Sequence, residues 1–196
     1  MTIAVIHSGG ANLGSVIHAL NRLGAQSVLT RDPTEIRSAD KVILPGVGAA
    51  AWAMNALREA GLVEVVRGLS QPVLGICLGL QLMFEHSEEG DADCLGVIPG
   101  TVGKMDVEAG LRLPHMGWNQ LVWTDPDDPL ARGLSGQEWF YFVHSFAAPI
   151  EHAAATSQHG QRFAAVVRKG NFAACQFHPE KSAAAGARLL ANFLAH

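Results

Sequence analysis

The sequence predicts an α/β fold: a mostly parallel central sheet flanked by helices, with antiparallel strands added in the second half. Two patterns carry this. In the first half, short β-branched runs alternate with stretches of helical periodicity, the signature of βαβ units. Those short runs lack polar alternation, as strands buried on both faces do. A third observation bounds the fold. The chain has 196 residues, of which 48% are hydrophobic and 16% charged. That length predicts one domain spanning residues 1–196, able to bury a core without disulfides or structural metal.

Thr2–Ile6 reads as the first strand. Glycines follow, then Asn12 as an N-cap ahead of Leu13, Val16, Ile17, Leu20 and Leu23 at helical spacing. Gln26–Thr30 is the second strand, and Asp32-Pro33-Thr34-Glu35 starts a helix with proline at its first position. Lys41–Leu44 is the third strand, closed by Pro45-Gly46-Val47-Gly48. Residues 49–69 read as a long helix with a break at Gly61. Pro72–Ile76 is the fourth strand, and Leu78–Glu85 reads as helix. Then the pattern changes. Six strand-like segments, 97–106, 118–123, 137–143, 153–157, 162–168 and 171–177, suggest antiparallel or mixed additions to the sheet. Residues 183–195 form a closing amphipathic helix with Leu189, Leu190, Phe193 and Leu194 inward.

Composition excludes several classes. The net charge is −4, with only 14 Lys and Arg, so there is no basic excess for nucleic acid. The start has no basic n-region, and the uncharged run Gly68–Phe84 is too short for a membrane helix. The three cysteines, Cys77, Cys94 and Cys175, form no disulfide framework and no Cys-x-x-Cys. A cytoplasmic, reducing location is therefore expected. None of the nine histidines makes a His-x-x-x-His pair, so no metal site and no cofactor are expected. The four tryptophans read as core or interface.

Cys77 stands where a buried strand meets a helix, in the spacing Gly75-x-Cys77-x-Gly79. This is the thiol form of a nucleophile elbow. The turn is tight enough that a Cβ two residues to either side collides with neighbouring chain, so glycine is required there. The thiol projects from the carboxyl end of the sheet at a helix N-terminus, which favours a thiolate. The N–H of Leu78 is available to an oxyanion. The alternative reading is a buried structural cysteine, which is the reading for Cys94 and Cys175.

A second group is Gln176-Phe177-His178-Pro179-Glu180-Lys181. The proline holds His178 extended, and side chains at i and i+2 of an extended segment share a side. Glu180 then orients the imidazole, and His178 serves as the base. Alone, the same residues fit a surface histidine before a helix. The third group, Leu44–Gly48, is a glycine-rich turn that offers a second oxyanion donor or is simply a turn. It lacks the P-loop lysine and hydroxyl, and Gly9-Gly10 lacks dinucleotide-binding spacing.

In order along the chain, PGVG, GICLGLQ and FHPEKS resemble the class I (triad) glutamine amidotransferases. Two more segments, LPHMGWN (residues 113–119) and YFVHSF (141–146), are similar to the branch of glutaminase subunits that serves imidazole glycerol phosphate synthesis in histidine biosynthesis. The opening HSGGANLGSV departs from that branch's usual aromatic before the first glycine. The resemblance implies Cys77 as nucleophile, His178 as base and Glu180 as orienter. It implies an oxyanion hole from the N–H groups of Val47 and Leu78, the former after a peptide flip. Gly48, Gln81, Glu89, Ser145 and Phe146 match glutamine-binding positions. Asn12, Trp118 and Lys181 match positions at the interface with a (β/α)8-barrel cyclase subunit that receives the ammonia. An exposed lysine opening a helix is the plain alternative for Lys181. The sparse charge fits a face covered by that partner. Rival readings are the glutaminase of pyridoxal phosphate or anthranilate synthase, a stand-alone Cys-elbow hydrolase, and a degenerate binding subunit.

Overall fold

The computed structural model describes residues 1–9, 13–107 and 111–196. The elements run β1 (Thr2–Ile6), α1 (Leu13–Arg22), β2 (Gln26–Thr30), α2 (Pro33–Ser38), β3 (Lys41–Gly46), α3 (Ala50–Glu59), α4 (Val63–Arg67), β4 (Val73–Cys77) and α5 (Leu78–Gln81). Then follow β5 (His86–Ser87), β6 (Ala92–Asp93), β7 (Thr101–Lys104), β8 (His115–Gln120), β9 (Val122–Trp123), β10 (Trp139–His144) and β11 (Phe146–Ala147). The chain closes with β12 (Ala153–His159), β13 (Gln161–Lys169), β14 (Phe172–Cys175) and α6 (Ala183–Ala195).

The central sheet has the order β2-β1-β3-β4-β14-β13-β12-β9. β2, β1, β3, β4 and β14 are mutually parallel, and β13, β12 and β9 run antiparallel. Apolar strands arise because both faces are covered. Ala4, Ile6, Val42 and Leu44 face one apolar layer with Met54, Leu57 and Val66 of α3 and α4. Ile3, Val5, Ile43, Leu74 and Ile76 face the other, with Val16 and Leu20 of α1 and Leu189, Leu190 and Phe193 of α6. At the edges of the sheet, β2 leaves Val28 and Leu29 exposed and β9 leaves Val122 exposed. Asp32 caps α2 by accepting a 2.7 Å bond from the Thr34 N–H. The expected break at Gly61 is present, with φ +65° between α3 and α4.

Three expectations need correction. The helix predicted over 78–85 is the single turn α5, because the next carbonyls are claimed elsewhere: Leu82, Met83, Phe84 and Glu85 accept from Leu95, Ile98, Gly96 and Cys94. Not all second-half strands join the central sheet. β8 and β10 pair as a separate antiparallel ribbon, and β11-β7-β5-β6 form a small sheet of their own. Periodicity identifies a strand but carries no information about its partner. Finally, residues 179–181 are a 3-10 turn rather than extended chain.

Candidate active site

β3, β4 and β14 end side by side, with Gly46 paired to Cys77 and Cys175 to Ile76. Three loops therefore converge at their carboxyl ends, where open α/β sheets bind ligands. The chain after β4 reverses through Cys77 at φ +54°, ψ −108°, a conformation that costs a non-glycine residue about 1–3 kcal/mol. The neighbouring glycines make this turn possible. A Cβ at Gly75 would lie 2.8 Å from the Gly79 carbonyl carbon and oxygen, and one at Gly79 would run into the Leu44 carbonyl oxygen. α5 thus sits directly on β3 and β4. As the first residue of α5, Leu78 has an N–H with no acceptor within its own helix.

His178 follows β14 and is held from both sides. Its N–H donates to the Tyr141 carbonyl at 2.9 Å, and its carbonyl accepts from Ser182 Oγ at 2.6 Å. Ser182 Oγ also accepts from the Tyr141 N–H at 2.9 Å, tying the loop to β10. His178 Nδ1 lies 2.8 Å from Glu180 Oε1, with both side chains almost wholly buried, at 3% and 1% exposure. The pairing expected from an extended i, i+2 geometry is achieved through the 3-10 turn instead. Nε2 is buried without a hydrogen-bond partner among the described residues and is left to the thiol side of the site. Burial alone depresses the imidazole pKa. The interactions with Cys77, then Glu180, outweigh it and push His178 up to about 10. No Sγ–Nε2 hydrogen bond is formed, so the contribution of Cys77 reflects its nearness to the ring. Cys94 is pushed up to about 11 by burial, and Cys175 well above the usual thiol range, so neither suits a nucleophile.

A cavity of about 210 Å³ opens at Cys77. Its lining includes Val47, Gly48, Leu78, Gln81, Glu89, Phe146 and His178, seven of the residues expected at the site. It has room for a molecule the size of one amino acid. Glu89 places a carboxylate in the wall. Burial raises its pKa, and a 3.2 Å bond from the Ala50 N–H opposes that rise. Ser145 does not line the cavity, and its carbonyl accepts from Met105 N–H at 2.9 Å. Trp118 and Lys181 lie outside the cavity and meet at Tyr141: the Trp118 ring packs edge-on to it at 5.8 Å, and Lys181 Nζ is 5.9 Å from the ring centre. Asn12 is outside the described residues. A larger depression of about 580 Å³, lined by Gly9, Arg31, Trp52 and Glu59 among others, holds none of these groups.

Sequence reasoning missed three contributors. Gln176 is fully buried; its Nε2 donates to Cys77 Sγ at 3.7 Å, and its Oε1 accepts from Gln81 Nε2 at 3.1 Å. Ser182 anchors the His178 loop. His144 lines the cavity and meets His115. Their spacing of 29 residues hid the pair, whereas a ribbon register aligning LPHMGWN with YFVHSF would have found it. Among the described residues no group of three or more His, Cys, Asp or Glu is arranged to hold a metal.

Burial keeps His144 and His115 neutral, with pKa values lowered to about 3 and about 4 from 6.5. The unfolded chain protonates both below pH 6.5 and the folded chain does not. Their contribution to stability is thus complete above pH 6.5 and is lost as pH falls through the folded values, at about 1.4 kcal/mol per unit for each ring. His178 has the opposite sign. Its contribution is complete below 6.5 and is lost as pH rises through about 10. Urea unfolding between pH 6.5 and 5 is expected to show a falling midpoint, and His115→Phe to flatten that slope.

Residues 4–196 match the model of the class-I glutamine amidotransferases, and the chain belongs to this family. Within it, the chain is similar over nearly its whole length to one kind of subunit. Imidazole glycerol phosphate synthase subunit HisH of Xanthomonas axonopodis pv. citri (strain 306) is 54% identical over 193 residues, covering 98% of this chain and 96% of that protein. Subunit HisH 2 of the same synthase from Legionella pneumophila (strain Paris) is 51% identical over the same span. The fold matches a crystal structure of a glutamine amidotransferase with a TM-score of 0.74, at 23% identity, covering 98% of this chain and 97% of that one.

Proposed function

We propose that this chain is the glutaminase subunit of imidazole glycerol phosphate synthase, acting in histidine biosynthesis. The supporting observation is the likeness to HisH subunits across nearly the whole chain, together with a thiol, an imidazole and a carboxylate gathered at one amino-acid-sized cavity. The 196 residues act as one amidotransferase unit. No described helix is long and apolar enough to cross a membrane, and the proposed location is the cytoplasm.

Glutamine enters with its side-chain amide at Cys77. His178, raised to about 10, already holds the thiol proton as an imidazolium, and the Cys77 thiolate attacks the amide carbon to give a tetrahedral intermediate. The Leu78 N–H and, after a peptide flip, the Val47 N–H stabilise its oxyanion. The C–N bond breaks as His178 returns the proton to nitrogen, and ammonia leaves. Water, deprotonated by His178, then hydrolyses the glutamyl thioester to glutamate and restores the thiol. Glu180 keeps Nδ1 protonated and favours the imidazolium at each proton transfer. Glu89 suits the substrate ammonium, while Gly48, Gln81 and the backbone at Ser145 and Phe146 hold the rest of the amino-acid moiety.

The partner is a (β/α)8-barrel cyclase subunit that uses the ammonia to make imidazole glycerol phosphate and aminoimidazole carboxamide ribonucleotide. Met116, Trp118 and Trp139 project from the β8–β10 ribbon at 67%, 50% and 53% exposure. Such an aromatic patch suits a covered face, with Asn12 and Lys181 proposed at its ammonia entry. The test is glutamate release by the chain alone and with the cyclase subunit and its nucleotide ligand. Slow turnover alone and at least about a hundredfold acceleration in the complex are expected. Fast turnover by the isolated chain would favour a stand-alone hydrolase.

A further inference from the structure

Two buried histidines take no part in the proton transfers above, although one of them lines the cavity. They come from the segments LPHMGWN and YFVHSF and are direct cross-strand partners, His115 on β8 opposite His144 on β10. His144 Nδ1 lies 2.9 Å from the Phe146 carbonyl oxygen, and His144 Nε2 lies 3.0 Å from His115 Nδ1.

These contacts determine where the protons are. A carbonyl only accepts, so His144 Nδ1 is the donor to Phe146. The ring is neutral, so its Nε2 carries a lone pair and accepts from His115 Nδ1–H. His115 Nε2 is then an acceptor, and Asn119 Nδ2 faces it at 3.4 Å. The Asn119 amide is oriented independently: its Nδ2 donates to the Gln158 carbonyl at 2.8 Å, and its Oδ1 accepts from the Gln120 N–H at 2.8 Å. Donors thus point one way, from Asn119 through His115 and His144 to the cavity wall. Protonating both facing nitrogens would set N–H against N–H.

The rings have little freedom to depart from this arrangement. His115 is sandwiched between Phe142, with ring centres 5.0 Å apart, and His159, at 4.3 Å. His159 is itself tied to the Arg112 carbonyl at 3.0 Å. The end of the chain of donors is a single atom. The Phe146 carbonyl oxygen also accepts from Gln81 Nε2 at 3.1 Å, so side chains from two different elements hold it. A phenylalanine pair would fill the same core volume without burying polar nitrogens. What the histidines add is a directed hydrogen bond to the wall of the site.

We propose that His144, locked as its Nδ1–H tautomer by His115, is a positioning residue that holds the Phe146 backbone in the geometry that binds glutamine. This rests on the glutaminase reading above. The arrangement lowers KM by presenting a preformed backbone edge, and it leaves the proton transfers at Cys77 and His178 untouched.

The test uses the full chain in complex with its partner subunit. His144→Leu and His115→Phe are expected to raise KM for glutamine about tenfold or more, with kcat within about threefold. His144→Asn, whose amide nitrogen stands near the place of Nδ1, is expected to bring KM back to within about threefold of the parent. In the unmutated protein, ¹⁵N NMR is expected to show His144 as a neutral Nδ1–H ring at pH 6, a pattern lost in His115→Phe. Unchanged KM in both His144→Leu and His115→Phe overturns the proposal, as does an Nε2–H pattern for His144. If the unmutated complex releases no glutamate, the glutaminase reading fails, and with it the role in glutamine binding; the NMR pattern still decides the tautomer.

Discussion

Cys77→Ala is expected to remove glutamine hydrolysis, by at least about 10⁴-fold in kcat, while the chain still folds. The loss follows from chemistry: without Sγ there is no thioester, and substrate binding with oxyanion stabilisation supports only residual hydrolysis. The retained fold follows from the backbone. Alanine accepts φ +54° no better and no worse than cysteine, and the side chain lost is one sulfur atom at a cavity edge. The urea midpoint is therefore expected to change by no more than the equivalent of about 1 kcal/mol. Cys77→Gly is expected to be the more stable of the two, because it relieves the strained turn. A second readout separates nucleophile from spectator. Contact with the thiol is the largest influence raising the His178 pKa, so this pKa is expected to fall in Cys77→Ala. NMR titration of the imidazole measures it. Full glutaminase activity in the alanine variant would remove Cys77 from the mechanism.

The parallel half of the fold was legible because its rules are local. Thr2–Ile6 and Gln26–Thr30 appear with the bounds read from the β-branched runs, and a helix starts at Asp32-Pro33 with Pro33 as its first residue, as expected. Cys77 was legible for a related reason, since its requirements lie within two residues on either side. Partner choice was not legible. β10 closes against β8 rather than the central sheet, and two-residue strands such as β5 and β11 have no periodicity to read. The same blindness hid Gln176 and His144. Gln176 reaches Cys77 across 99 residues, and His144 reaches His115 across 29. Each of these contacts is a matter of register between distant strands. The HPE segment shows a subtler case: the pairing of His178 with Glu180 was expected, but from an extended geometry that the 3-10 turn replaces.

Gly79→Ala is expected to have the largest effect on stability of any single methyl addition considered, costing about 3 kcal/mol or more. The added Cβ has nowhere to go. It points into the Leu44 carbonyl oxygen, which is backbone of β3 and not a side chain that can swing away. Overpacking against a flexible neighbour costs about 1–3 kcal/mol, and a rigid one raises that. Relief requires lifting α5 off the sheet. Gly75 shows how close the two layers lie, because its own missing Cβ would meet the Gly79 carbonyl and, at 2.9 Å, Ala174 Cβ. Lifting α5 also carries the Leu78 N–H away from the cavity and turns Cys77 out of line with His178. Loss of glutaminase activity is therefore expected to exceed loss of folded protein, in contrast to an ordinary core defect. Gly14→Ala is the internal comparison. It lies in α1 with nothing among the described residues within 4 Å of the new Cβ, and is expected to stabilise the chain by about 0.5–1 kcal/mol through helix propensity alone. Urea midpoints and kcat for the two variants measure the contrast. A Gly79→Ala protein as stable and as active as its parent would mean that the helix does not rest on the strand as described, and the elbow geometry assigned to Cys77 would fall with it.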